Sequence, residues 1–406
     1  MKFLDLLKNS DPEYRKNFWY FFCAYFLVLL NYPLIRASST TMFFESFGAK
    51  SSPVAWLWTV LFLSIAIYSC NKLQSWYSIQ KVFLFSSLFS AGVFALNLLG
   101  LSLGFKELSW TSFIWKEIYI VIQVHFLLGY ANNYFKQEDF KLMVGPMGAF
   151  GSIGGIIGGL LTSHMSSITG TSGVMVLGIF FVIIPALLFW FTPSLLKIDQ
   201  KHPESPVHTL DTPDIRRYVF FVASLVTLSQ FVINIADFKF NLLFEKEIID
   251  SAARTSYLGH VFTITNLVTF ILQFAFLPLI LPRVSERNYH LFIPISYILV
   301  GAGLFFSNLG GILPIAALFI YLKASDYSFF VSGKEILYQP LNQAQKYGAK
   351  YLTDMLVYRV AKALIAAVLI YLQSSFILNM MMGIFLILWI VLVTQLFRLH
   401  RRLFSY

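Results

Sequence analysis

Residues 323–362 read KASDYSFFVSGKEILYQPLNQAQKYGAKYLTDMLVYRVAK. The stretch begins inside one apolar segment and ends inside the next, and it carries Lys323, Asp326, Arg359 and Lys362 where hydrocarbon neighbours are expected. An isolated charge in the middle of a bilayer costs roughly 2.5 to 3.5 kcal/mol on insertion scales, so embedded charges usually face a partner or a water-filled cavity. The stretch therefore predicts a membrane protein built around such a cavity.

The composition of the whole chain supports this prediction. Of its 406 residues, 57% are hydrophobic and only 12% are charged, whereas a soluble domain is typically about 25% charged. Apolar runs of about 20 residues recur along the chain, which is the length that spans a bilayer as a helix. The net charge of +10 is explained by Lys and Arg in cytoplasmic loops, and we predict no nucleic-acid partner.

The apolar runs predict twelve membrane spans. Their predicted ranges are 17–35, 52–70, 82–104, 109–131, 142–165, 172–192, 218–240, 257–281, 291–307, 311–331, 352–373 and 376–397. Between the sixth and seventh spans, residues 197–217 contain three prolines and charges of both signs, which is typical of a solvated linker. We therefore predict an N-terminal six-helix half (1–196), a cytoplasmic linker (197–217) and a C-terminal six-helix half (218–406).

The distribution of basic residues predicts the orientation. With both termini in the cytoplasm, the cytoplasmic segments hold 20 Lys and Arg residues, the outer loops and outer span ends hold 6, and 4 lie within spans. Such an excess indicates the cytoplasmic side. By analogy, six spans, a linker and six further spans are the layout of the major facilitator superfamily, in which two halves enclose a central substrate site. We expect an all-α polytopic membrane protein of twelve transmembrane helices with this fold.

The fifth span contains a run of glycines, GPMGAFGSIGGIIGG at 145–159. Spacings of three and four place most of them on one stripe of a helix, where a neighbouring backbone can approach closely. A phosphate-binding loop would need a Gly-Lys-Ser/Thr continuation and a preceding strand, and the sequence has neither. Close helix packing is predicted, with flexing during transport left open.

The fourth and seventh spans carry polar residues with two interpretations. Lys116 and Glu117 are adjacent and diverge by about 100° on a helix, so they are either a solvated pair at the outer interface or part of a site. Asn132 lies at the end of the same span. Asp237 and Lys239 are two residues apart and also diverge, and structural ion pairs with other spans remain as plausible as ligand contacts.

The tenth and eleventh spans carry the strongest functional signal. Lys323 and Asp326 are three residues apart and can pair along one helix face. Arg359 and Lys362 have the same spacing but are both positive, which is unfavourable unless an anion lies opposite. That anion is Asp326, Asp237 or a substrate, and a purely structural role stays open. The loop at 332–351 is predicted to be largely a solvated face.

Enzymatic chemistry is not indicated. The sequence has no HExxH, no GxSxG and no paired set of Cys and His, and its two cysteines, Cys23 and Cys70, lie in apolar spans. We predict no catalytic residue, no metal site and no cofactor.

A motif joins the tenth and eleventh spans. Residues 334–341 read KEILYQPL and 346–350 read KYGAK, followed by Asp354 and by RVAK at 359–362. The order and spacing resemble the ATP/ADP translocase family of bacteria and plastids, whose segment reads roughly K-E-x-x-Y-x-P-L, then K-x-x-A/G-K, an Asp, and R-x-x-K.

Weaker similarities extend the resemblance to both halves. Residues 129–133 (GYANN), followed by Lys141 and the glycine run, are similar to the family's segment joining the fourth and fifth spans. Residues 237–240 (DFKF) are similar to its Asp-Tyr-x-Phe-Lys region, and Arg36 falls where the family has a basic residue closing the first span.

The resemblance implies a secondary transporter that exchanges ATP and ADP or a related phosphorylated anion by alternating access. Six basic residues would bind phosphate: Arg36, Lys116, Lys239, Lys323, Arg359 and Lys362. The carboxylates Glu117, Asp237 and Asp326 would hold these cations or couple protons, and Asn132 completes the candidate set. The alternative is a major facilitator-type transporter of another organic anion or metabolite, either proton-coupled or a uniporter.

The expected setting is the lipid bilayer of a bacterial inner membrane with both termini cytoplasmic. A small anionic substrate, such as ATP or ADP, is the expected partner. A monomer is favoured, although the sequence does not determine the oligomeric state.

Overall fold

The computed structural model describes residues 7–8, 10–193, 210, 212–307 and 309–404. Within these residues the chain is helical and contains no β-strand. Most of the predicted linker at 197–217 lies outside the described residues. The predicted all-α class is confirmed.

Fourteen α-helices are described. They are α1 (Pro12–Phe47), α2 (Ser52–Gln74), α3 (Ile79–Ser102), α4 (Leu108–Tyr134), α5 (Gln137–Trp190), α6 (Pro213–Glu247), α7 (Ser251–Ile271), α8 (Leu277–Ile280), α9 (Glu286–Phe306), α10 (Leu313–Ser325), α11 (Val331–Leu337), α12 (Gln343–Lys350), α13 (Tyr358–Tyr371) and α14 (Ser375–Phe404). Three π-helical segments interrupt them at Leu272–Phe276, Asp326–Phe330 and Tyr351–Val357.

Ten helical segments among the described residues are long and apolar enough to cross a membrane, and the difference from twelve arises at two places. Helix α5 runs through both the fifth and the sixth predicted spans, with Gly170 at φ 69° inside it, a backbone conformation that suits glycine. The eleventh predicted span is divided between the π-helical segment Tyr351–Val357 and α13, which has 14 residues. The count of twelve stays a prediction.

The chain forms two compact units. Unit 1 contains the described residues of Met1–Gly48, Leu61–Gln200 and Ile248–Phe270, and unit 2 contains those of Ala49–Val60, Lys201–Glu247 and Ile271–Tyr406. The halves predicted from the sequence, 1–196 and 218–406, stay a prediction.

In unit 1, α1 and α4 pack antiparallel along most of their length. At one end, the Asn17 amide donates a hydrogen bond to the Tyr134 hydroxyl at 2.7 Å. At the other end, the rings of Phe43 and Phe113 stack with centroids 4.1 Å apart. Rising residue numbers on one helix meet falling numbers on the other, which establishes the antiparallel direction.

The glycines of α5 allow it to approach α1 closely. A Cβ atom at Gly154 would lie 2.6 Å from the Phe26 carbonyl oxygen, and one at Gly158 would collide with the Leu30 carbonyl oxygen. Both distances are shorter than any normal contact, so only glycine fits. Close helix packing, as predicted from the glycine run, is confirmed here.

A second face of α5 contacts α7. A Cβ atom at Gly159 would lie 2.7 Å from the Gly259 carbonyl oxygen, and one at Gly155 would lie 2.5 Å from the Asn266 side chain. Gly151, Gly154 and Gly158 face α1, so most of the glycines that contact another helix share one stripe, as expected. Gly155 and Gly159 form a second stripe, because neighbouring residues of a helix do not share a face.

In unit 2, α6 has neighbours on several sides. The rings of Phe240 and Phe319 stack at 4.8 Å, which joins α6 to α10. The rings of Phe231 and Phe385 lie 5.0 Å apart, which joins α6 to α14. Helix α6 thereby presents its embedded charges to both of these helices.

Candidate functional site

The centre of unit 2 contains an ion pair between two helices. Lys323 Nζ on α10 lies 3.7 Å from Asp237 Oδ2 on α6, and both side chains are largely buried. The Asn241 amide donates to Asp237 Oδ1 at 3.1 Å. Lys323 therefore pairs with Asp237 on a neighbouring helix, and the pairing with Asp326 that the spacing allowed is not observed.

Lys239 points to a different helix. Its ammonium group donates to the Asn379 side-chain oxygen on α14. The divergence of Asp237 and Lys239 predicted from their spacing is thus observed: one residue contacts α10 and the other contacts α14.

Lys362 lies beside an aromatic ring that packs near α6. Its Nζ atom is 5.8 Å from the centre of the Trp56 ring, and that ring lies 6.3 Å from the ring of Phe238. Trp56, which is 4% exposed, thereby links Lys362 to the segment of α6 between Asp237 and Lys239. We name Asp237, Lys239, Lys323 and Lys362 the unit 2 cluster.

Arg359 precedes Lys362 by one helical turn on α13 and is half-buried. No carboxylate among the described residues forms an ion pair with it. It follows directly on the π-helical segment Tyr351–Val357, and π-helical turns occur frequently at functional sites. With Arg359, the candidate residues of unit 2 in and next to the cluster include four basic groups, one of which, Lys323, is paired with Asp237.

Asp326 lies apart from the unit 2 cluster. It is 5% exposed and accepts one hydrogen bond, from the Ser229 hydroxyl at 3.4 Å. It is the first residue of the π-helical segment Asp326–Phe330.

In unit 1, Lys116 and Glu117 form an ion pair of 3.0 Å. Lys116 is 3% exposed, and its Nζ atom lies 3.9 Å from the centre of the Phe113 ring. The interpretation as a solvated pair was wrong. The two Cβ atoms diverge, but the long side chains bend back toward each other over the aromatic ring.

The remaining candidates of unit 1 are Arg36 and Asn132. Arg36 Nη1 donates to the Tyr32 hydroxyl at 2.8 Å, and the guanidinium carbon lies 5.1 Å from the centre of the Phe262 ring. Asn132 is exposed at the end of α4 and makes no hydrogen bond to another candidate residue.

The motif at 334–354 forms a clamp between α11 and the start of the next membrane helix. Lys334 Nζ lies 2.6 Å from Asp354 Oδ1, and Lys350 Nζ lies 2.6 Å from Glu335 Oε2. The Tyr338 hydroxyl contacts the Thr353 hydroxyl and donates to Asp354 Oδ1 at 3.4 Å. We name Lys334, Glu335, Tyr338, Lys350 and Asp354 the hairpin clamp.

The hairpin clamp adds a buried contact to a loop that was predicted to be largely solvated and is mostly exposed or half-buried. Tyr338 is completely buried, and burial together with the nearby Asp354 carboxylate raises the pKa of its hydroxyl well above the usual range. The residues that carry the strongest family resemblance therefore join two helices, and in this arrangement they hold each other. Sequence reasoning missed Trp56, Asn241 and Asn379, whose only signal was their polar or amphipathic character inside apolar spans.

Comparison with known proteins identifies the fold. Neither a family model nor a curated protein matches the chain. The crystal structure of nucleoside transporter NupG is similar over 96% of this chain and 99% of that chain, with a TM-score of 0.62 and 16% sequence identity. The structure of the POT family transporter PepTSo is similar over 97% and 98%, with a TM-score of 0.66 and 11% identity.

A third solved structure shows a similar degree of fold similarity. The D-xylose-proton symporter is similar over 93% of this chain and 97% of that chain, with a TM-score of 0.61 and 12% identity. These similarities extend over nearly the full length of every chain. The protein therefore has the major facilitator-type fold of a polytopic membrane protein.

Proposed function

We propose that this protein is a secondary transporter that works by alternating access and carries an organic anion, with exchange of ATP and ADP or a related phosphorylated anion as the first choice. The observation that carries the proposal is the unit 2 cluster. It contains three lysines and one aspartate: Lys323 pairs with Asp237, Lys239 contacts Asn379 and Lys362 lies over the Trp56 ring. Arg359 lies one helical turn from Lys362. A surplus of fixed positive charge inside a membrane helix bundle fits an anionic cargo.

The chemistry of the basic groups suits phosphate. Arginine grips phosphate oxygens through two parallel N–H donors, whereas lysine acts as a compact positive charge. Arg359 has no ion pair to give up among the described residues, and Lys239 contacts only a neutral amide. A phosphorylated anion would therefore gain contacts with Arg359 and Lys239 without first breaking an ion pair of either residue.

The structural neighbours support transport without choosing the cargo. They include a nucleoside transporter and a D-xylose-proton symporter. In the major facilitator fold, halves that rock about a central site provide alternating access. We propose the same motion for the predicted halves 1–196 and 218–406, in a bacterial inner membrane with both termini cytoplasmic.

Uptake of labelled ATP by intact bacterial cells that express the chain tests the proposal. We expect saturable uptake that excess unlabelled ADP inhibits. The double variant Arg359→Ala/Lys362→Ala should abolish this uptake while remaining in the membrane. Lys346→Ala is the matched control, because it removes one positive charge from α12, outside the unit 2 cluster, and should keep uptake close to that of the original protein.

Two results would change the assignment. A fully active Arg359→Ala/Lys362→Ala variant would show that these cations do not bind the cargo. Absence of ATP uptake from well-expressed protein would exclude ATP exchange and favour another organic anion or metabolite. A thermal-shift screen with phosphorylated and carboxylated metabolites would then identify the class that stabilises the purified protein.

A further inference from the structure

Asp326 differs from the other embedded carboxylates in its surroundings. Asp237 has Lys323 at 3.7 Å, and Glu117 has Lys116 at 3.0 Å. Asp326 is as deeply buried, yet no basic group among the described residues lies within ion-pair distance of it. Its one hydrogen-bond donor is the Ser229 hydroxyl at 3.4 Å, which is longer than the usual O–H···O distance of about 2.7 to 2.8 Å.

The groups around Asp326 are mostly neutral. They are Ser229 on α6, Tyr297 on α9 and the neighbouring Ser325 on α10. The Ser325 hydroxyl is buried. Two lysines of its own helical stretch, Lys323 and Lys334, act on Asp326 only through space, since each is paired with another carboxylate.

A buried carboxylate without a cation is costly as an anion, and such groups are normally neutralised. A proton is the ligand that can do this in a space closed by hydroxyl and aromatic groups. We propose that Asp326 is a proton-binding site and that its protonation decides which carboxylate Lys323 pairs with. This inference rests on the proposed transporter function and adds a coupling ion to it.

The exchange of partners follows from the position of Lys323. It lies three residues before Asp326, within reach along one helix face. Its contact with Asp237, at 3.7 Å, is longer than a charge-assisted hydrogen bond of about 2.7 to 2.9 Å, so the existing pair is loose. A proton on the Asp326 carboxylate leaves Lys323 with Asp237, and loss of that proton creates a competing anion for the same ammonium group.

The competition links the proton to the cargo site. When Asp326 is protonated, Lys323 stays in the unit 2 cluster and adds its charge there. When Asp326 is ionised, Lys323 moves toward it and the cluster loses one basic group. Anion binding and proton binding therefore favour each other, as reciprocal linkage requires.

Infrared difference spectroscopy of the purified full-length protein tests the site without any knowledge of the cargo. Spectra taken from about pH 5 to about pH 9, a range in which buried carboxyl groups titrate, should contain the carbonyl band of a protonated carboxylic acid that disappears as the pH rises. We expect Asp326→Asn to remove this band. Asp250→Asn is the matched control, because it removes one exposed carboxylate that does not share Lys323, and it should keep the band.

The outcomes separate the two proposals. A band that survives in Asp326→Asn, or no titrating carboxyl band in the original protein, would overturn the proton site whatever the cargo. If the band is lost in Asp326→Asn and kept in the control variant, the proton-binding site is supported even where labelled ATP is not transported. Where ATP uptake is observed, an acidic external medium should increase it in the original protein, and this increase should be lost in Asp326→Asn.

Discussion

Lys116 shows at the scale of a single residue how this fold accommodates an embedded charge. Its ammonium group is almost fully enclosed, with Glu117 at 3.0 Å and the Phe113 ring at 3.9 Å. The carboxylate and the ring face together replace water around the ammonium group. Removing one partner of such a pair leaves the other as an unpaired buried charge. Replacing both partners by neutral residues leaves no buried charge.

We therefore expect Glu117→Gln to lower the free energy of unfolding by about 3 to 5 kcal/mol, the range observed when one partner of a buried pair is lost. The double variant Lys116→Met/Glu117→Gln should recover most of this loss. Thermal unfolding of the purified variants in detergent measures the loss of stability in the single variant and its recovery in the double variant. A double variant less stable than Glu117→Gln would show that the ammonium group is stabilised by other contacts.

The sequence identified which residues carry embedded charge but not their partners. The spacing of Lys323 and Asp326 indicated a pair within one helix, yet Lys323 contacts Asp237 on α6. Spacing along a chain describes neighbours on one helix surface, and contacts between helices depend on how those helices pack. For the same reason the link from Lys362 through Trp56 to α6 had no counterpart in the sequence pattern.

At the scale of helices, the hairpin clamp joins two stretches that each contain a π-helical segment. One stretch is α10, Asp326–Phe330 and α11, and the other is α12, Tyr351–Val357 and α13. Two ion pairs and the Tyr338 hydroxyl connect them. The clamp therefore holds the end of the stretch that carries Asp326 against the start of the stretch that carries Arg359.

Exchanging charges within the clamp tests this connection. Lys334→Asp places two carboxylates together at a distance now spanned by an ion pair of 2.6 Å, so we expect it to lower the thermal unfolding temperature and transport. Lys334→Asp/Asp354→Lys restores opposite charges and should recover much of both. If the exchanged pair is no better than Lys334→Asp, the clamp does not depend on charge complementarity.

The contact between α1 and α5 depends on the absence of side chains. A methyl group at Gly158 would collide with the Leu30 carbonyl oxygen, whereas nothing lies within 4 Å of a methyl group at Gly145 on the same helix. Overpacking of this kind typically costs about 1 to 3 kcal/mol, while Ala in an unobstructed helix position is favoured over Gly by about 0.8 to 1.0 kcal/mol.

We expect Gly158→Ala to reduce the thermal stability of the purified protein and Gly145→Ala to leave it unchanged or raise it slightly. Both variants make the same chemical change, so helix propensity alone would move them in the same direction. Equal effects of the two substitutions would argue against close contact at Gly158.

For the whole molecule, apolar segments of bilayer length were enough to predict an all-helical membrane protein with the major facilitator layout, and the similarity to solved transporters confirms that fold. The positions of the π-helical segments were not predictable, because they lie inside apolar runs with ordinary helical composition. Gly170 likewise interrupts α5 without a break in the apolar pattern. Length and hydropathy determine how many times a chain can cross a bilayer, but they do not determine where a helix is locally distorted.

The orientation of the molecule is predicted by its basic residues, and the two ends of α3 provide a direct test. Trp76, which is 65% exposed, precedes α3 in a predicted cytoplasmic segment, and Leu103, which is 74% exposed, follows it on the predicted outer side. In a chain whose Cys23 and Cys70 are replaced by Ser, we would introduce Trp76→Cys or Leu103→Cys. A membrane-impermeant thiol reagent applied to intact cells should label Leu103→Cys, and it should label Trp76→Cys only after the membrane is permeabilised. The opposite pattern would invert the topology, because one helix cannot present both of its ends to the same side of the bilayer.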